Sequence, residues 1–111
     1  MNNIRFKLKV WNTLEMSNGC IATEVTPQFT QNRKWIGIYP LNEDERGKFK
    51  YIEIELPKNI IENDLDWFED DEIKTTIYLK SIEELYQLLE EKKMDPQAFD
   101  VPWKFKYPYH Y

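Results

Sequence analysis

One cysteine, one histidine and three glycines are all that the 111 residues supply, and each scarcity closes off a kind of chemistry. A lone Cys20 has no partner for an intramolecular disulfide, which points to a reducing compartment or an indifferent one. One Cys and one His, far apart in the chain, offer no zinc-ligand spacing. Three scattered glycines make no phosphate-cradling loop, and so few of them argue against low-complexity disorder. No apolar run approaches the length of a membrane span. The opening Ile4-Arg5-Phe6-Lys7-Leu8-Lys9-Val10 is broken by charge at every second position, so it has no signal-peptide h-region. The expectation is a cytoplasmic single domain, residues 1–111, without cofactor, metal or membrane partner.

Positive charge is also short. The formal net charge is −5, and the phosphate backbone of a nucleic acid repels such a chain. A basic partner suits it better. The charge is uneven: residues 1–34 carry +3, residues 35–72 carry −8, and residues 73–111 balance.

What the chain does have is rings. Aromatic residues make up 15% of it, and each buries much area, so a real core is within reach. Ile4, Phe6, Leu8 and Val10 alternate with basic residues, and Ile21, Thr23 and Val25 alternate beyond Asn18-Gly19. That pattern predicts strands at 3–14 and 20–26 joined in a hairpin, the second ended by Pro27. Residues 28–34 read as polar loop. Trp35–Tyr39 reads as a third strand, followed by a charged turn at 41–48. Ile52, Ile54 and Leu56 alternate with Tyr51, Glu53 and Glu55 as a fourth strand, and Ile73, Thr75, Ile77 and Leu79 mark a fifth. Residues 58–72 read as acidic and irregular, with room for one helical turn. Ser81 and Glu84 have capping-box spacing, and Ile82, Leu85 and Leu89 follow as a helical stripe. Asp95-Pro96 reads as the cap and first residue of a short second helical turn. The expected fold is α+β: a meandering antiparallel sheet of five to six strands with one main C-terminal helix packed on one face.

Candidates for catalysis are poor. His110 is next to the last residue, and a catalytic base needs a third group to orient it. Cys20 lacks a visible base or cation to make it a thiolate, and a small buried hydrophobe is the simpler role. No carboxylate pair stands out for acid–base work, so the expectation is a protein that is not an enzyme.

The acidic run is more informative. Glu62, Asp64, Asp66, Glu69, Asp70, Asp71 and Glu72 surround Trp67 and Phe68, with no Lys or Arg among them. A solvated loop is the ordinary reading of such a run. A calcium loop is a second, but the glycine at its sharp turn is missing. The third is a docking surface for a basic protein, with Trp67 or Phe68 as an aromatic anchor inside an acidic rim. The tail, Trp103 through Tyr111, has a ring at every second position. As an edge strand it would cover the sheet or the helix, with Trp103 and Phe105 the first to be buried. A stacking platform for bases or sugars is the alternative.

Ser81-Ile82-Glu83-Glu84-Leu85, Asp95-Pro96-Gln97-Ala98-Phe99 and Val101-Pro102-Trp103 form a helix-turn-tail ending. With the short, acidic, Cys-poor chain, that ending resembles small bacterial immunity proteins of contact-dependent and polymorphic toxin systems. The resemblance implies a protein that binds a cognate toxin domain, often a basic nuclease, and covers its active site. Segment 62–72 would be the contact. The alternative is a phage or mobile-element inhibitor that mimics nucleic acid, of anti-CRISPR or anti-restriction type. The positive N-terminal third argues against that. The sequence leaves the oligomeric state open.

Overall fold

The computed structural model describes residues 5–16, 19–41 and 48–109. His110, Asn18 and most of the charged turn at 41–48 lie outside the described residues. Among the described residues three helices and four strands follow in the order α1 (Leu8–Met16), β1 (Ile21–Val25), β2 (Asn32–Pro40), β3 (Phe49–Pro57), α2 (Lys58–Glu62), β4 (Ile73–Leu79) and α3 (Ile82–Glu91), with short 3-10 turns between and after. The strands form one antiparallel meander in the order β1-β2-β3-β4.

The first expected strand is a helix. Phe6, Val10 and Leu14 are buried while Leu8 is 74% exposed. Period two would have put Leu8 in the core with its even-numbered neighbours; a spacing of four turns it to solvent. Trp11, at an odd position, packs against the same core and extends the stripe in the helical manner. The Gly19 N–H then bonds to the Thr13 carbonyl at 2.9 Å, as a group satisfying the helix end rather than a hairpin. The described sheet therefore has four strands, not five or six, and a second main helix stands at its N-terminal side.

Both faces of the sheet are covered, where one was expected. One face carries Ile21, Ile36, Ile38, Phe49, Tyr51 and Leu79, against α1 and against Leu85 and Leu89 of α3. The other carries Ala22, Trp35, Ile52, Ile54 and Leu56, against Ile60 and Ile61 of α2 and against Tyr107. Helix α3 starts as its sequence predicts: the Ser81 hydroxyl accepts from the Glu84 N–H at 3.1 Å. The returning Glu84 carboxylate takes the Lys80 N–H at 2.7 Å, one residue before the cap. Burying Leu85 and Leu89 stabilises by about 1.5–3 kcal/mol each, and Ile82 is half-buried.

The tail is not a strand. Pro102 opens a 3-10 turn over Pro102–Phe105, and Lys106 takes a left-handed conformation with φ of 54°. The chain reverses there, which leaves Trp103 64% exposed and drops Tyr107 into the core. The tail is pinned by the Trp35 indole N–H on the Phe105 carbonyl at 2.7 Å and by the Tyr39 hydroxyl on that of Tyr107, also at 2.7 Å. Gly37 makes room for it: a Cβ there would stand 2.1 Å from Tyr107 Oη.

Three carboxylates are drawn inside. Asp100 accepts from the Val101 N–H and pairs with Lys7 and Lys104, each at 3.0 Å. Glu55 accepts from the backbone of Gln28 and Phe29 and from Asn32 Nδ2. Glu53 accepts from the Tyr51 hydroxyl and pairs with Lys34 and Lys92. In each case burial pushes the pKa up, but the donors and cations outweigh it and hold the carboxyl below its ordinary value. A folded-state pKa below the unfolded one contributes stability that is complete above the unfolded value. That contribution is lost as pH falls through the folded value. Thermal unfolding followed against pH is therefore expected to show the midpoint dropping progressively once pH falls below about 4. Asp100→Asn should flatten the most acidic part of that curve.

Candidate functional site

The acidic segment begins where α2 ends. The Asn63 side chain bonds back to the Asn59 carbonyl at 2.9 Å, and Asp64 reverses the chain with φ of 51°. The Leu65 N–H returns to the Ile60 carbonyl at 2.9 Å, which fixes the reversal against the sheet. Asp66, Trp67 and Phe68 run on to a 3-10 turn at Glu69–Asp71, and Glu72 leads into β4.

The two rings of the segment part company. Trp67 turns inward, with its indole N–H donating to Glu72 Oε2 at 2.9 Å. The Tyr109 hydroxyl donates to the same oxygen at 3.2 Å, and the Trp67 and Tyr109 rings lie 6.2 Å apart. Burial, then the adjacent Glu72 charge, raises the Tyr109 pKa and keeps that hydroxyl a donor. Glu72 is thus the clamp that ties the tail to the acidic segment. Phe68 turns outward and is 79% exposed. Its N–H donates to Asp71 Oδ2 at 2.9 Å, and the Asp71 N–H donates to the Phe68 carbonyl at 2.9 Å. This reciprocal pair presents the ring on a tied turn. Leu65, 48% exposed, adds a second apolar group.

The remaining carboxylates, Glu62, Asp64, Asp66, Glu69 and Asp70, are exposed. Glu62 lies within the field of Arg33, whose guanidinium is held by both oxygens of Glu24 at 2.7 Å. Asp64 and Asp66 line a groove of about 360 Å³ together with Ile60, Leu65, Trp67, Tyr107 and Lys106. Its lining combines apolar side chains with charges of both signs. A Lys or Arg side chain of a partner has the matching anatomy, an apolar stem and a charged head. A second groove of about 390 Å³ lies between α1 and α3, lined by Phe6, Leu8, Trp11, Ile82 and Tyr86, with Arg5 over the Tyr86 ring. Among the described residues its lining includes no carboxylate, and it does not match a basic ligand.

Comparison of the chain with family models, with curated proteins and with solved structures finds no match.

Of the two side chains weighed for catalysis, only Cys20 lies within the described residues. Cys20 is buried, its Sγ bonds to the Ile21 carbonyl at 3.4 Å, and burial pushes its thiol pKa up to about 12. A thiol so shifted is a poor nucleophile near neutrality. Among the described residues no group of three His, Cys, Asp or Glu side chains is placed to hold a metal ion. No described helix is long and apolar enough to cross a membrane.

The sequence located the segment but not its orientation. Trp67 and Phe68 are adjacent and both apolar, and the nearby Glu72 together with the distant Tyr109 decides which one is tucked in. Lys106 and Tyr107, which complete the groove, reach it through the left-handed turn at Lys106. The alternation of rings and lysines from Trp103 onward suggests a strand instead.

Proposed function

We propose that the protein is a non-enzymatic binding protein that neutralises a basic bacterial protein, of nuclease-toxin type, by covering it with the surface built from residues 62–72. The observation that carries this reading is the outward Phe68 on its Asp71-tied turn, in a segment whose Asp64, Asp66, Glu69 and Asp70 are also exposed. Large rings held rigid at the centre of a charged rim are what association favours, because little conformational entropy is lost on docking. The carboxylates repel one another in the unbound protein, and a cationic partner relieves that repulsion as it approaches. The high pKa of Cys20 supports a role without thiol chemistry. Mimicry of nucleic acid has less support. Seven carboxylates fall within residues 62–72, while Lys7, Lys9 and Lys104 gather around Asp100.

Affinity capture from the native cell, at low and at high salt, tests the proposal. The wild-type bait should retain a basic protein that high salt releases. A bait carrying Glu69→Lys and Asp70→Lys should lose it. Asp71 is left alone because it holds the turn. Retention of the same protein by both baits, indifferent to salt, would remove the acidic surface from the interface.

A further inference from the structure

The two edges of the sheet are treated differently. The β1 edge is covered at Ala22, which exchanges two 2.9 Å backbone hydrogen bonds with Asp100. Among the described residues nothing pairs with the outer edge of β4. That strand is seven residues long, Ile73–Leu79, and pairs with β3 in an unbroken register. It has no proline and no bulge, and Ile73 and Tyr78 are exposed large side chains. Natural edges are guarded by lysine, proline or bulges. The only charge here, Lys74, is turned aside, with its Nζ 5.0 Å from the centre of the Tyr109 ring.

We propose that β4 pairs antiparallel with β4 of a second copy of this chain, in the register centred on Thr76, joining two four-stranded sheets into one of eight strands. Charge and shape select this occupant. Centring on Thr76 is the one self-pairing that uses every residue of the strand. It sets Ile73 opposite Leu79, Thr75 opposite Ile77 and Lys74 opposite Tyr78, so no two lysines meet, and it sets Thr76 opposite its own copy, a pair that stabilises a ladder. Just beyond the strand, Glu72 of each copy falls opposite Lys80 of the other, giving two complementary charge pairs. Shifting the centre to Ile77 would instead set Lys74 against Lys80. The strands run in opposite directions, so the two acidic segments lie at opposite ends of the paired strands, roughly 20 Å apart. Both docking surfaces stay open, and the self-association stands whether or not they bind a basic partner.

Sedimentation of the full chain over a range of concentrations tests this, with amide exchange of residues 73–79 measured alongside. The wild type should dimerise with rising concentration, and alternate β4 amides should gain protection as it does. Thr76→Lys and Thr76→Glu each place like charges across the two-fold axis at an exposed position. Each should raise the dissociation constant about fivefold while leaving the circular dichroism unchanged. An equimolar mixture of the two should recover wild-type association as a heterodimer. A wild type that stays monomeric with concentration-independent exchange would overturn the proposal. So would a dimer that ignores both substitutions, or variants that fail to associate when mixed. Should either variant not fold, the exchange of the wild-type strand decides alone.

Discussion

Gly37→Ala is expected to destabilise the protein by about 3 kcal/mol, a large share of the 5–15 kcal/mol typical of a single domain. The glycine sits in β2 at the middle of the sheet, opposite Ala22 on one side and Ile52 on the other. The Tyr107 ring lies directly across it. A new Cβ would meet Tyr107 Oη at 2.1 Å and Cζ at 2.6 Å, and no real Cβ approaches so closely. The ring must leave, and with it goes the 2.7 Å hydrogen bond to the Tyr39 hydroxyl. The clash is with one named ring, so the effect is conditional. Tyr107→Ala alone should cost about 3–5 kcal/mol. In that background Gly37→Ala should cost almost nothing, since alanine is the better strand residue once space is free. Chemical denaturation of the four proteins closes the double-mutant cycle. Additive losses would mean that the tail does not lie where it is placed.

The second large effect is expected at Glu55. Its carboxylate is buried and holds three donors, the Gln28 N–H at 2.7 Å, the Phe29 N–H at 3.0 Å and Asn32 Nδ2 at 2.9 Å. Glu55→Gln keeps the shape but replaces one acceptor by an amide NH2 that faces donors. Charge-assisted bonds become neutral ones and at least one donor is left without an acceptor, a loss of about 2–3 kcal/mol. The damage should be local as well as global. Gln28 and Phe29 amides should lose protection from exchange before the central strands do. If the variant is as stable as wild type, the turn preceding β2 does not depend on this carboxylate.

These two positions also show where reading the sequence stops. The strands β1, β3 and β4 and the helix α3 were legible because their signals are local: alternation in one case, a capping serine and a helical stripe in the other. Helix α1 was not, since Ile4, Phe6, Leu8 and Val10 suit a strand, while Phe6, Val10 and Leu14 suit a helix. Only packing against α3 and the sheet chooses. The start of β2 at Asn32 was hidden in a polar stretch, because Asn32 is buried by its bond to Glu55 rather than by hydrophobicity. The tail is hidden from the sequence for the opposite reason. Its rings alternate, but Pro102 and Lys106 bend the chain so that Tyr107 can reach Gly37, a contact no local pattern encodes. The acidic segment was visible from composition alone. That Phe68 and not Trp67 points outward depends on Glu72, at the end of the segment, and on Tyr109, which reaches it only through the folded tail.

The docking surface is tested most directly by the kinetics of a captured basic partner binding to wild type, to Phe68→Ala and to the Glu69→Lys, Asp70→Lys double variant, with thermal unfolding confirming that all three are folded. Phe68→Ala should speed dissociation by about 30-fold, the effect of losing a central anchor. The double charge reversal should instead slow association and remove its dependence on salt. Unchanged rates for both folded variants would contradict a docking surface at residues 62–72.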